Sequence, residues 1–410
     1  MADETLLVEL TEYRRTAEPV QLPDAVASVI RDHLGQYLDI APVWGAPGAY
    51  WLTAKQYIGD VIVEGVRVRI GSDKAPMENL FWMLTYAENL ADFRGDDAGF
   101  TEDEGLFEYL ARMLAGQVEH LVRRGMYRTY MPHADRLPRL KGRLNLAEQI
   151  RQSIAHPERF AVRWNEHTPD VLENRLLKRV LLMLAAARFS REPQLAVRLR
   201  KSASLFDTVS LANIVDQDFG SVLYSQLNGH YRRPLALARV LHRYMHLRNE
   251  QGSVPFVTYL IDLNVLFERF IAAYLAEALS GSGLTVRDQH LIYLDADHLE
   301  GAYVDIVVMR GRRPVLALDT KFKTFKGRPD RADLNQMFSY CHALRVERGV
   351  LLYPHAQGIQ QLRRLPAAAV EMRGVWLGGS VEQLQTHLQV VVTELVSMAE
   401  RGVNPWGLTD

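Results

Sequence analysis

The sequence predicts an α+β multidomain protein: a small β-rich domain over residues 1–75, a mainly helical middle over 76–255, and a C-terminal α/β core over 256–410. Three observations predict it. Short Val- and Ile-rich runs punctuated by Gly and Pro fill the first 75 residues. Apolar residues then recur at three- and four-residue spacing to about residue 250. From residue 262 the order becomes helix, three strands, helix, strand. A chain of 410 residues is long for one core, so two or three domains is the natural division.

Leu6 to Leu10 reads as a strand, and Pro23 to Leu38 as a helix, with Val26, Val29, Ile30, Leu34 and Leu38 on one face. Tyr57 to Ile70 is a hairpin turning near Glu64-Gly65, its Val66, Val68 and Ile70 alternating with Arg67 and Arg69. Trp44, Tyr50 and Trp51, among Gly45, Pro47 and Gly48, are either a partner-binding loop or aromatics covering a small core. Pro76 to Leu90 is helical, and Thr101 with Glu104 three residues on has the pattern of a capping box opening a helix that stops at Gly125. The segment His133 to Leu146 is basic; Arg139, Lys141 and Arg143 are either phosphate contacts or a solvated face. Thr168-Pro169-Asp170 is expected to cap the long helix that follows, and another helix spans Pro234 to Leu247. The Gly252–Pro255 step is the expected boundary of the last domain.

In that domain Asp262 to Leu279 is an amphipathic helix, and strands are expected at 284–294, 303–310 and 314–322. A helix over 331–344, a strand over 349–353 closed by Pro354, a strand around 375–377, and a helix from 381 to 401 with Ser380 as N-cap complete it.

Lys plus Arg is 48 and Asp plus Glu is 49, so any polyanion site must be a local patch. The single cysteine, Cys341, excludes an internal disulfide and a cysteine-rich zinc site, fits a reducing cytosol, and is expected to be a core thiol. No basic leader and no apolar run of about 20 residues is present, so a cytoplasmic protein without membrane contact is expected. No G-x-x-x-x-G-K-[ST] loop occurs, so the chain is not expected to bind or hydrolyse nucleotide itself.

The chemistry concentrates in Tyr303 to Phe325, YVDIVVMRGRRPVLALDTKFKTF. Asp305 interrupts the apolar run Val304 to Val308, and Asp319 and Lys321 follow Val315 to Leu318, on one face of their strand by alternation. A carboxylate among buried residues is costly unless a cation compensates it. If the two strands are neighbours, Asp305 and Asp319 converge on one hard divalent ion, for which oxygen donors and water suit Mg²⁺. Lys321 then stands beside a site able to activate water on a phosphodiester. The competing reading is a structural salt bridge.

An Asp, a hairpin and Asp-x-Lys within αβββαβ resemble the PD-(D/E)xK nuclease superfamily, with Tyr303-Val304-Asp305 in place of the Pro-Asp step. LFERFIAAYL at 266–275, LALDTKFK at 316–323, LNQMFSYCHAL followed by GVLLYP, RLKGRLNL at 139–146 and PDVLENRLLKRVL at 169–181 together resemble McrC, the nuclease subunit of McrBC-type modification-dependent restriction systems. The resemblance spans roughly residues 76 to 380. It implies a restriction-endonuclease-like C-terminal core in which Asp305 and Asp319 bind metal, Thr320 offers its backbone carbonyl where many members have alanine, and Lys321 is the catalytic lysine. Glu268 occupies the place of a helix glutamate that joins the site in related nucleases, against a reading as a solvated charge. Gln336 and Tyr340, four apart on one helix face, resemble a Gln-x-x-x-Tyr motif that supports the site. Mg²⁺ is the implied cofactor, with Mn²⁺ able to substitute. The implied partners are a McrB-like AAA+ GTPase oligomer, on which the chain docks and whose hydrolysis it stimulates, and double-stranded DNA, modified or not. Arg69-Ile70-Gly71-Ser72-Asp73-Lys74 departs from the family's Ile-x-Pro-Lys ending of its early strands, so partner contact by residues 1–75 has less support. The alternative to an endonuclease is a catalytically silent adaptor that regulates an AAA+ partner or binds DNA.

Overall fold

The structure, a computed structural model, describes residues 6–95, 99, 104–152, 158–187, 193–248, 255–295, 297–354, 360–365 and 368–400. The chain opens with β1 (Leu6–Thr11), β2 (Val20–Gln21), α1 (Asp24–His33), β3 (Leu38–Pro42), β4 (Ala49–Ala54), β5 (Tyr57–Val63) and β6 (Val66–Gly71), then turns helical at α2 (Met77–Ala87) and α3 (Leu106–Arg124). Next come β7 (Thr129–Leu137), β8 (Arg143–Leu144), α4 (Leu146–Gln152), β9 (Phe160–Thr168), α5 (Leu172–Ala186), α6 (Pro193–Ser204), α7 (Asp216–Gly220) and α8 (Arg232–Tyr244). The last part runs β10 (Met245–Arg248), β11 (Phe256–Asp262), α9 (Leu263–Ala278), β12 (Leu284–Tyr293), β13 (Gly301–Arg310), β14 (Arg313–Thr320), α10 (Arg331–Leu344), β15 (Arg348–Pro354), β16 (Gln360–Leu365), β17 (Ala368–Val375) and α11 (Val381–Glu400). These elements form two compact units, residues 1–107 with 244–410, and residues 108–243.

The first unit joins segments that the sequence reading divides at residue 255. β11 pairs antiparallel with β5 from Phe256↔Val63 to Asp262↔Tyr57, in a sheet ordered β1-β6-β5-β11-β10. The β5–β6 hairpin turns at Glu64 and Gly65, both at positive φ, as expected. Its arginines do not both face water, however. Arg67 is fully buried, its Nε 2.7 Å from Asp60 Oδ1, because Tyr259 of β11 and Phe107 pack 5.1 Å apart over that face. At Gly59 (φ +127°) a Cβ would meet the Tyr259 carbonyl oxygen at 1.8 Å. Gly59→Ala is therefore expected to cost about 3 kcal/mol through overpacking and strain, read as a lowered denaturation midpoint.

β2, β4 and β3 form a second small sheet, and α1 stops at His33 rather than continuing to Leu38, which begins β3. Among the loop aromatics Trp44 is fully exposed, Tyr50 packs against the N-terminal core, and Trp51 lies under the Arg15 guanidinium.

The C-terminal sheet is ordered β12-β13-β14-β15-β17-β16. β12, β13 and β14 are antiparallel neighbours, the last two joined by a tight turn at Gly311 (φ +61°). α10 makes the crossover to β15, which pairs parallel with β14. The order helix, three strands, helix, strand is the expected one. β16 (QQLRRL) was not expected: an edge strand with this charge lacks the apolar alternation that marks half-buried strands. The final strand lies at 368–375, earlier than the expected 375–377. α9 is capped by Asp262, whose carboxylate accepts from the amides of Asn264 and Val265. Ser380 and Gln383 close the expected reciprocal cap on α11.

The second unit holds most of α3, the helices α4 to α8, and an antiparallel sheet ordered β7-β9-β8, so the middle of the chain is less uniformly helical than its spacing suggests. α3 ends before Gly125 (φ +113°); Thr101, expected to cap it, lies outside the described residues. The expected Thr168–Asp170 cap on α5 is absent. The N-cap is Val171, while the Asp170 carboxylate takes both Arg175 Nε (2.7 Å) and the Ser210 hydroxyl (2.6 Å), a charge-assisted pairing stronger than a cap bond. Among the described residues no helix is long and apolar enough to cross a membrane.

Candidate active site

The site lies where β13, β14 and α10 meet in the C-terminal sheet. β13 and β14 pair Ile306↔Leu318 and Val307↔Ala317, so Asp305 and Asp319 follow next across the two neighbouring strands. Asp305 Oδ2 accepts from the Thr320 amide (2.8 Å) and the Thr320 hydroxyl (3.1 Å). Two donors thus fix the Asp305 carboxylate, one of which an alanine at 320 would not supply. Asp319 is only 2% exposed, and its pKa is pushed up to about 7, first by burial and then by the Asp305 charge, against the pull of Lys321.

β14 ends at Thr320, but Lys321 continues the ladder by donating its amide to Leu352 O (2.8 Å). Its Nζ lies 2.7 Å from Asp319 Oδ2, yet that buried oxygen makes no aligned hydrogen bond. Burial works against the Lys321 charge, and the Asp319 carboxylate outweighs it, leaving the lysine pKa raised. Nζ also donates to Gln336 Oε1 (3.3 Å), and Gln336 Nε2 donates to the Tyr340 hydroxyl (2.6 Å). The two α10 residues anticipated as supports are therefore linked to the lysine in a chain.

Glu268 of α9 accepts from the Gln289 side chain, and burial raises its pKa, with Asp305 acting in the same direction. Among the described residues no group of three His, Cys, Asp or Glu is arranged to hold a metal. A hard divalent cation nevertheless fits the donors present: two carboxylates from adjacent strands, with the buried Asp319 Oδ2 faced by the Lys321 ammonium alone at 2.7 Å and left without an aligned hydrogen bond.

Two features were not legible in the sequence. The β12–β13 pairing passes from Asp288↔Ile306 to His290↔Val304 and skips Gln289, whose φ is +45°, opposite Asp305. A glutamine in the left-handed region is uncommon, and here it accompanies the side-chain bond to Glu268. Only the polar run Arg287–His290 hinted at it. Beyond Lys321, Lys323 Nζ lies 2.7 Å from Asp333 Oδ2, which also accepts from the Tyr353 hydroxyl (3.3 Å). Cys341 is a buried thiol pushed up to about 12 by its burial, as expected of a core residue.

Arg139, Lys141 and Arg143 belong to the other unit and are exposed on or beside the β7-β9-β8 sheet. Lys141 Nζ sits 4.5 Å over the Trp164 ring and 3.5 Å from Glu166 Oε2. The structure thus brings Asp305, Asp319, Thr320, Lys321, Gln336 and Tyr340 together, with Glu268 in electrostatic reach, while the three cations belong to the second unit.

The model of a family described as McrBC 5-methylcytosine restriction system component matches residues 52–354. This chain belongs to that family. Among McrBC relatives, the type IV methyl-directed restriction enzyme EcoKMcrBC of Escherichia coli K12 is 21% identical over 307 residues, 68% of this chain and 86% of that one. A chain in the half-complex from a tetradecameric assembly of Thermococcus gammatolerans McrB AAA+ hexamers with bound McrC is similar in fold, with a TM-score of 0.63 at 18% identity. That likeness covers 95% of this chain and all of the other.

Proposed function

We propose that this chain is the McrC-like subunit of an McrBC restriction system, a Mg²⁺-dependent endonuclease with a PD-(D/E)xK core that cuts phosphodiester bonds in double-stranded DNA. The observation that carries the reading is the meeting of Asp305, in the middle of β13, with Asp319 and Lys321 at the end of the adjacent β14, and with Lys321 tied to Gln336 and Tyr340. Asp305 and Asp319 would hold the cation, with the Thr320 carbonyl as a further donor, and Mn²⁺ would substitute. When bound, the cation acidifies water and offsets charge on the phosphoryl oxygens. Lys321 presents its ammonium beside the scissile phosphate, and Gln336 Oε1 keeps it there. Glu268, with its raised pKa, is suited to hold a proton near the site.

Docking on an AAA+ GTPase and stimulation of its hydrolysis are proposed from the McrB–McrC assembly formed by the structural relative. Arg139, Lys141 and Arg143 are proposed phosphate contacts of the other unit. A catalytically silent adaptor is the second reading, favoured by the lack of a three-residue metal cluster among the described residues. The test is cleavage of modified and unmodified duplex by the chain with its partner, GTP or ATP, and Mg²⁺ or Mn²⁺; cutting under none of these conditions leaves the adaptor. Gln336→Ala, at an exposed position, is expected to slow cleavage about fivefold, the worth of a hydrogen bond of about 1 kcal/mol, with an unchanged denaturation midpoint.

A further inference from the structure

We propose that the cavity between Tyr13 and the loop 323–330 is a subsite for the phosphate backbone of the DNA strand next to the bond that is cut. This rests on the nuclease reading above. The cavity measures about 450 Å³, and its lining includes Lys323, Lys326, Arg328 and Asp330, three cations against one carboxylate. Lys323 is already matched by Asp330 and Asp333. Lys326 and Arg328 are exposed and make no hydrogen bond or ion pair among the described residues, so they carry the excess charge.

The loop is held in shape by contacts of its own. Phe325 is buried 5.1 Å from the Tyr353 ring, Pro329 is buried, and Gly327 (φ +79°) accepts from Gln361 Nε2 at 3.0 Å. Anchors on both sides present Lys326 and Arg328 from a preformed turn, which lowers the ordering cost of binding.

Position decides the ligand. Lys323 is two residues beyond Lys321, so their Cα atoms are no more than about 7 Å apart. That is on the order of one phosphate-to-phosphate step along a strand, since the winding backbone separates successive phosphates by more than the roughly 3.4 Å axial rise. A backbone whose scissile phosphate sits at Lys321 thus brings its neighbouring phosphates to this cavity. A cationic lining excludes a metal ion as the occupant. In the adjoining cavity beyond Thr324, Arg14 pairs with Asp73 and Lys74 with Glu12, so those cations are already neutralised.

The experiment is anisotropy of a labelled duplex of about 25 base pairs binding the intact chain in EDTA, across a series of KCl concentrations. Each phosphate contact contributes about 0.9 to the slope of log affinity against log salt. Lys326→Ala/Arg328→Ala is expected to flatten the slope by about 1.8, and Lys326→Arg/Arg328→Lys to retain it. A double alanine variant with the parent slope overturns the proposal, as does a parent chain that does not bind duplex. Asp319→Asn, assayed in parallel, is expected to keep the full slope and lose cleavage. If it cleaves normally while the alanine variant still flattens the slope, the assignment of Asp319 to the chemistry falls and the phosphate subsite stands; if the parent with its partner and cation cuts nothing, the nuclease reading falls instead.

Discussion

Asp319→Asn is expected to lower the rate of DNA cleavage by a factor of about 1000 or more, equivalent to about 4 kcal/mol of barrier, while the partner's GTP hydrolysis is stimulated as before. The substitution keeps the volume of a side chain that is 2% exposed, so the sheet should fold around it. What it removes is one of two carboxylate charges available to a divalent cation, together with the partner that holds Lys321 Nζ at 2.7 Å. Lys321→Ala is expected to act on the same step, and the two together should cost little more than either alone, because groups that work as a unit are not additive. Cleavage by Asp319→Asn at the parent rate would remove the carboxylate from the chemistry and leave a structural ion pair.

The second large effect is on stability against pH. Burial keeps Asp319 protonated in the folded, metal-free chain up to about pH 7, whereas an unfolded aspartate ionises near 3.8. Between those values the folded state binds more protons, so this group makes stability fall as pH rises through the window, then level off above it. The change is on the order of 4 kcal/mol. Glu268, also raised, acts in the same sense. Asp170 and Asp216, held low by Arg175 and by Arg239 with Arg243, act the other way and only at lower pH, as their stabilisation is lost on acidification. In EDTA the parent is therefore expected to denature more easily at pH 8 than at pH 5.5, and Asp319→Asn to be the more stable chain at pH 8. Mg²⁺ or Mn²⁺ should restore the parent at pH 8 and leave the variant unchanged. Denaturation midpoints with and without cation check this, and equal cation response in both chains would place the metal elsewhere.

The parts of the fold carried by local pattern were legible. Alternation marked the hairpin of β5 and β6, helical spacing marked α9 and α10, and the Ser380–Gln383 cap follows from side-chain chemistry within four residues. Strand β11 was not, because its FVTYLID run gains meaning only from pairing with β5, almost 200 residues earlier. The burial of Arg67 was not legible for the same reason: alternation shows which side chains share a face, but not whether that face meets water or Tyr259.

The amino-acid order by itself determined that carboxylates and a lysine accompany apolar strands, since Asp305 breaks the run around it and Asp319 and Lys321 follow Val315 to Leu318 directly. It determined also that Gln336 and Tyr340 share one helix face. Tertiary structure alone decided that these groups meet, because convergence depends on the register of β13 on β14 and on the α10 crossover. It also decided that Thr320 holds Asp305, that Gln289 leaves the regular pairing opposite it, and that loop 323–330 keeps Lys326 and Arg328 exposed, without a hydrogen bond or close ion pair among the described residues. The physical reason is that burial and pairing set the charge and direction of each group, and both depend on neighbours far away in the chain.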